Sequence, residues 1–98
     1  MEFEMHKLQD LGFVKKVNSE EELTFVDYEL KHGPWKINVV KTIDKDSGRL
    51  ITQIIEVSIG KETATVEIEK IEAFEIFLKI LLNPALPEMI KYKSPSNN

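Results

Sequence analysis

Short turn signals divide the middle of the chain into segments whose apolar and polar residues alternate. The connections KHGP, DKDSGR and GK each contain a glycine and span only a few residues. Glycine and proline in such connections favour tight turns. Because a crossover between parallel strands needs a dozen or more residues, these connections allow only antiparallel neighbours. The spacing therefore predicts an antiparallel meander sheet.

The alternating segments predict four or five strands. The segment at 50–59 is the longest and most apolar, which favours a central position, and Ile51 is expected to share a face with Ile55 and Val57. Phe25 falls on the polar side of its segment, so the second face of the sheet is expected to be partly apolar. The predicted strands cover residues 13–17, 24–30, 35–43, 50–59 and 63–68.

Helical periodicity is present before and after these segments. Residues 1–11 place Met1, Met5 and Leu8 near one face, and Gly12 stands where a left-handed residue commonly ends a helix. A second helix is expected where KIEAFEIFLKILLNP begins at Lys70. The predicted fold is α+β: an antiparallel four- to five-stranded meander sheet flanked by an N-terminal and a C-terminal helix. One domain is expected over residues 1–93, with a disordered tail over residues 94–98.

The C-terminal helix carries more apolar surface than a sheet can cover. A helix that lies on a sheet needs an apolar arc of about 100°, whereas here the arc passes half the circumference. The first helix could cover the surplus through Met1, Met5 and Leu8, or a second copy or another protein could cover it. We therefore predict a partner-binding surface at Ile76, Phe77 and Ile80, which another protein or a second copy of the chain would cover.

The charge of the chain is negative and unevenly distributed. The formal net charge is −4, which argues against direct nucleic-acid binding, since phosphate contacts need clustered Lys and Arg. The acidic residues either keep the protein in solution or meet a basic partner. The second interpretation predicts a partner-binding acidic rim formed by Glu20, Glu21, Glu22, Asp27 and Glu29.

Most catalytic and metal-binding patterns are missing from the sequence. It contains no cysteine, which excludes disulfides and favours a cytoplasmic location, and no apolar stretch long enough to cross a membrane. His6 and His32 lack partners at metal-ligand spacing. The segment 44–48 resembles the start of a calcium loop, but a hairpin turn explains it better. We predict no enzyme activity, no catalytic residue, no cofactor and no metal.

A small-ligand-binding domain is the alternative function. Its pocket would lie between the sheet and a helix, near Trp35 and Tyr28. The two functions differ in the surface they need. A ligand site is concave with a few convergent polar groups, whereas a protein-binding surface is an exposed apolar patch with a polar rim.

Residues 8–30, LQDLGFVKKVNSEEELTFVDYEL, resemble the opening of small acidic accessory proteins encoded by phages and prophages of Gram-positive bacteria. In those proteins a short helix runs into Leu-Gly-Phe, then into lysine-containing strands and an acidic hairpin. The resemblance implies a protein that binds a host or phage protein and catalyses nothing. It assigns no role to any single residue.

Overall fold

The computed structural model describes residues 2–83 as one antiparallel sheet with two helices. The predicted α+β class is confirmed, and the sheet has five strands. Parts of the predicted domain, 84–93, and the predicted tail, 94–98, lie outside the described residues. The elements are α1 (Met5–Asp10), β1 (Val14–Ser19), β2 (Leu23–His32), β3 (Trp35–Asp44), β4 (Leu50–Ile59), β5 (Glu62–Val66) and α2 (Ile71–Leu81).

The strands follow one another across the sheet in the order β1-β2-β3-β4-β5. Each is antiparallel to the next because the connections are tight turns. Gly33, Gly48 and Gly60 have positive φ angles in the turns after β2, β3 and β4. The central strand is β3, so the expectation that 50–59 would be central is wrong. Trp35, Ile37 and Val39 of β3 are all buried, as expected for the strand in the middle of the sheet.

The inner face of the sheet, which we define by Tyr28, Ile37, Val39, Ile55 and Val57, is packed under the helices. Phe74 of α2 is fully buried in this core. Its ring centroid lies 5.1 Å from that of Phe3, 5.9 Å from that of Phe13 and 6.3 Å from that of Phe77. This aromatic cluster, Phe3, Phe13, Phe74 and Phe77, joins both helical ends of the chain to the sheet.

The first helix is shorter than the periodicity predicts. It begins at Met5, and Phe3 precedes it in extended chain, with Phe3 almost fully buried and Met5 44% exposed. The contact to α2 is therefore made by Phe3, not by Met5. Gly12 ends the helix with a φ of 101°, and the Phe13 amide donates to the Leu8 carbonyl oxygen, as the capping prediction required.

A bulge changes which side chains of β4 point inward. The register between β3 and β4 shifts at Thr42 and Ile43, so that Ile43 pairs with Leu50 and Ile51 is left over. Because an extra residue reverses the alternation, Ile51 is 53% exposed. The expectation that Ile51 shares the buried face of Ile55 is wrong for this reason.

Candidate functional site

The outward face of α2 is apolar and open to solvent. Ile76 is 59% exposed and Ile80 is 62% exposed, one helical turn apart. Phe74 and Leu78 lie on the opposite side of the helix and are buried against the sheet. We call the outward surface formed by Ala73, Ile76 and Ile80 the α2 outer face. Two of the three residues predicted for the partner-binding surface, Ile76 and Ile80, lie on it.

Phe77 occupies a different position from the other two predicted residues. It is half-buried, packs against the core and stacks on the ring of Phe74. Phe77 follows Ile76 directly, so its side chain is rotated by about 100° around the helix axis from that of Ile76. Phe77 therefore fixes the helix to the sheet and borders the α2 outer face without forming its centre.

Charged residues flank the α2 outer face on one side. Glu72 in the first turn and Lys79 in the last turn are exposed, and Glu75 is half-exposed. A carboxylate near the helix N-terminus and an ammonium near its C-terminus both stabilise the helix through its dipole. The flank is thus acidic at one end and basic at the other.

The predicted acidic rim is divided in two by the structure. Glu20, Glu21 and Glu22 are exposed at the turn between β1 and β2. Asp27 and Glu29 lie farther along β2, on the face of the sheet away from the helices. Seven residues of strand separate Glu22 from Glu29, which corresponds to about 23 Å. The five carboxylates cannot form one compact patch.

Asp27 and Glu29 are held within a polar network on the outer face of the sheet. The buried Asn38 side chain donates to Asp27 at 2.9 Å. Lys16 and Lys31 lie 3.5 and 3.4 Å from the Glu29 carboxylate. Desolvation raises the pKa of Glu29, but Lys16, Asn38 and Lys31 outweigh it and lower the pKa below its usual value. Glu29 is thus already paired with two lysines, which leaves less of its charge for a partner.

An apolar strip crosses the same outer face beside that network. Phe25 and Val40 are half-buried there, and Ile54, which pairs with Val40 across β3 and β4, is 41% exposed. A shallow recess of about 330 Å³ lies against Phe25, Asp27 and Val40. The second face of the sheet is therefore partly apolar, as Phe25 led us to expect.

A buried lysine is the feature that the sequence analysis missed. Lys41 lies on the inner face of β3 and is only 4% exposed. Its ammonium donates to Glu2 Oε2 at 2.8 Å and to the Phe3 carbonyl oxygen at 2.5 Å, and it lies 5.3 Å from the centroid of the Tyr28 ring. Side chains alternate between the two faces along β3, so Lys41 lies on the same face as Val39 and Ile43. This alternation was the sequence signal for its inward position.

An open recess of about 470 Å³ adjoins this lysine, with Glu2, Lys15, Tyr28 and Lys41 in its lining. Burial and the Glu2 carboxylate raise the pKa of Tyr28 above its ordinary value, so its phenol is held neutral. Trp35 is buried, and its indole N–H has no hydrogen-bond partner among residues 2–83. Of the two residues predicted to lie near a ligand pocket, Tyr28 lines this recess and Trp35 does not.

Metal-binding clusters and membrane-spanning helices are both absent from residues 2–83, the part of the chain that the structure describes. No group of three or more His, Asp or Glu side chains in this range is placed to hold a metal ion. Within the same range, neither helix has the length and apolarity needed to cross a membrane.

No family model, curated protein or solved structure matches this chain.

Proposed function

We propose that this chain is a small protein-interaction module that self-associates through the α2 outer face. The observation that carries the proposal is the pair of exposed isoleucines, Ile76 and Ile80, directly opposite the buried face of α2. Neighbouring apolar side chains on one helix turn are the usual anchors when a helix face binds another helix. Ala73 beside them has a small side chain that permits close approach.

The charges that flank the α2 outer face are arranged to match a second copy. A two-fold axis near Ile76 would pack two α2 helices antiparallel. Glu72 and Lys79 lie four and three residues from Ile76, about 6 and 4.5 Å along the axis. Glu72 of one copy would then lie level with Lys79 of the second copy, which opposes charges of opposite sign.

The expected association is weak. Each isoleucine contributes about 1.5–3 kcal/mol on full burial, and each is already partly covered in the monomer. The four isoleucines of a pair would therefore contribute about 4–7 kcal/mol. Lost translational and rotational freedom opposes this by about 4–15 kcal/mol. The isoleucines alone therefore leave at most about 3 kcal/mol, so we expect a dissociation constant of millimolar order, which the flanking charges help to reach.

Sedimentation equilibrium at concentrations up to about 1 mM tests the proposal. The double variant I76K/I80K should remain monomeric because it places like charges at the contact. The matched control V14K/V17K also replaces two exposed β-branched residues with lysine, here on β1, and should associate as the unchanged protein does. A monomeric unchanged protein, or equal loss in both variants, would contradict the proposal.

A charge exchange gives an independent check on the orientation of the two helices. The variant E72K should weaken association because it opposes Lys79 of the second copy with a lysine. The exchanged variant E72K/K79E should recover it, since the pairs are reversed but preserved. Failure of the exchange to restore association would contradict the antiparallel arrangement.

A different protein as the occupant of the α2 outer face is the alternative within the same class. The resemblance at residues 8–30 to phage and prophage accessory proteins supports it, as do the exposed Glu20, Glu21 and Glu22. This alternative places the chain in the cytoplasm, which the cysteine-free sequence favours. The genes adjacent to the coding sequence test it: a neighbourhood without phage genes would contradict a phage origin.

Small-ligand binding is supported by a recess of about 490 Å³ between Leu30 of β2 and Leu78 of α2, and by the recess beside Lys41. Its volume of about 470 Å³ falls within the common range for ligand pockets, about 300–1,000 Å³. However, the Lys41 ammonium already donates hydrogen bonds to Glu2 and to the Phe3 carbonyl oxygen. A ligand would have to displace Glu2, so this function is less well supported than association through α2.

A further inference from the structure

The recess beside Lys41 contains two hydrogen-bond donors that the described chain does not use fully. Lys41 and Tyr28 are 4% and 2% exposed, and both line this space of about 470 Å³. An ammonium has three N–H donors, and Lys41 uses two of them, toward Glu2 and the Phe3 carbonyl oxygen. Among residues 2–83, the third N–H and the Tyr28 hydroxyl have no hydrogen-bond partner. A ligand with acceptor atoms would find both donors available.

The Glu2 side chain is the part of the recess that can move away. It is 47% exposed, so water already reaches its carboxylate. Glu2 also lies outside every helix and strand of the described chain, three residues before α1 begins at Met5. Phe3, by contrast, is buried in the aromatic cluster. The Glu2 carboxylate can therefore leave the Lys41 ammonium while Phe3 and its carbonyl oxygen stay in place.

The charges around the recess favour a ligand with a single negative charge. Its lining contains two lysines and two glutamates: Lys15, Lys41, Glu2 and Glu4. A monoanion that replaces the Glu2 carboxylate keeps this balance, whereas a phosphate monoester would add close to a second negative charge. The Glu2 carboxylate, 2.8 Å from the Lys41 ammonium, shows that a carboxylate fits this donor. The charge balance therefore points to a monocarboxylate.

Apolar side chains lie beside these charged groups. Val26 is buried, Ile43 is half-buried and Met5 is 44% exposed, and all three line the recess. A ligand with an apolar body would remove part of their surface from water, which is favourable. Ligand sites commonly combine such apolar walls with a few polar groups that fix the orientation of the ligand.

We infer that this recess is a binding site for a small organic monocarboxylate with an apolar body. The carboxylate of the ligand would take the place of the Glu2 carboxylate and accept hydrogen bonds from Lys41 and Tyr28. The apolar body would lie against Val26 and Ile43. Glu2 is then a tethered competitor that occupies the ammonium when no ligand is bound. This inference rests on the small-ligand function, for which it names the ligand class, and it is independent of association through α2.

Hexanoate is a suitable probe, because it joins one carboxylate to a short apolar chain. An NMR titration of the full chain at constant ionic strength should give a dissociation constant on the order of 1–10 mM, with chemical-shift changes at Tyr28, Lys41 and Val26. Hexanol, which has no charge, and hexyl phosphate, which has a larger one, should both bind more weakly. Equal binding of either analogue, or shift changes confined to another surface, would overturn the inference. So would the absence of binding at about 50 mM hexanoate.

Removal of Glu2 should strengthen binding, which a purely structural role of this residue would not do. E2A frees the Lys41 ammonium, so hexanoate should bind about fivefold to thirtyfold more tightly than to the unchanged protein. The matched control E4A removes an exposed carboxylate that lies 3.9 Å from His6 in the same recess, and should change the affinity by less than about threefold. Hexanoate should also raise the melting temperature of E2A more than that of E4A. Equal affinities of E2A and E4A would overturn the inference.

The variant Y28F separates contact with the ligand from a role in folding. It removes the hydroxyl, which has no hydrogen-bond partner among residues 2–83, and keeps the ring beside Lys41. Urea unfolding should therefore change little, whereas hexanoate binding should weaken about threefold to tenfold. Unchanged binding by Y28F would overturn the assignment of the hydroxyl to the ligand. The variant I76K/I80K should bind hexanoate as the unchanged protein does, so that the α2 proposal and this one can fail separately.

Discussion

The pair formed by Lys41 and Glu2 permits a quantitative prediction. Lys41 is 4% exposed, whereas Glu2 is 47% exposed, and 2.8 Å separates the two charged atoms. A fully buried pair costs about 3–5 kcal/mol when one partner is removed, because the other charge remains unpaired. Water screens the exposed side of Glu2, which reduces the effect. We expect E2Q to lower the free energy of unfolding by about 1–2 kcal/mol.

The variant K41M separates the charge interaction from the packing. Methionine preserves most of the apolar stem and removes a buried ammonium, which is favourable by itself. It also leaves the Phe3 carbonyl oxygen without the donor that lies 2.5 Å away, at a cost of about 1–3 kcal/mol. In the K41M background Glu2 has no buried charge to neutralise. There we expect E2Q to change stability by less than about 0.5 kcal/mol.

Urea unfolding of the four proteins in this double-mutant cycle gives the measurement. Trp35 is the single tryptophan and is buried, so its fluorescence reports global unfolding. The coupling energy between the two substitutions should be about 1–2 kcal/mol. If E2Q costs the same in both backgrounds, the interaction does not hold the N-terminal residues on the sheet, and the reasoning is wrong.

Substitutions of Phe74, Glu29 and Gly12 each have a defined outcome, with F74L and G33A as controls. F74A should lower the free energy of unfolding by about 3–5 kcal/mol because it empties the centre of the aromatic cluster; F74L should cost less than half as much in the same urea assay. The depressed pKa of Glu29 means that its contribution is present above its unfolded pKa and is lost as the pH falls through its lower folded pKa. E29Q should therefore flatten the dependence of the melting temperature on acid pH, and an unchanged slope would contradict the pKa shift. G12A should destabilise the protein by about 1–2 kcal/mol, since φ is 101° and lies outside the left-handed region that residues with a Cβ can adopt. G33A should cost less, because the φ of Gly33 is 57° and lies within that region; equal costs would show that this difference in φ is unimportant.

The sheet topology could be predicted because it depends on local features. Alternation places Tyr28 and Val39 on one face, and turns as short as the one at Gly33 permit only antiparallel neighbours. The stop of the first helix at Gly12 was predictable for the same reason, since a left-handed residue ends a helix wherever it occurs. Each of these inferences needs only residues that are close in sequence.

The candidate sites were predicted less completely because they depend on distant contacts. The apolar surplus of α2 correctly indicated Ile76 and Ile80 as outward-facing residues, whereas Phe77 packs against Phe74. Nothing in the local pattern showed that Phe3 would replace Met5 against the core. Alternation along β3 placed Lys41 on the inner face, but its burial also required Glu2 to reach its ammonium from elsewhere in the chain, and the local pattern does not show that contact.

The sequence by itself determined the strands, the turns and the α+β class, because alternation, glycine and short connections act over a few residues. Only the tertiary structure decided that Asp27 accepts a hydrogen bond from Asn38, that Glu29 is paired with lysines, and that Ile51 points outward. It also decided that β5 pairs only with Ile55–Ile59 of β4. These features arise from the register between strands and from contacts between residues far apart in sequence, and local periodicity does not encode them.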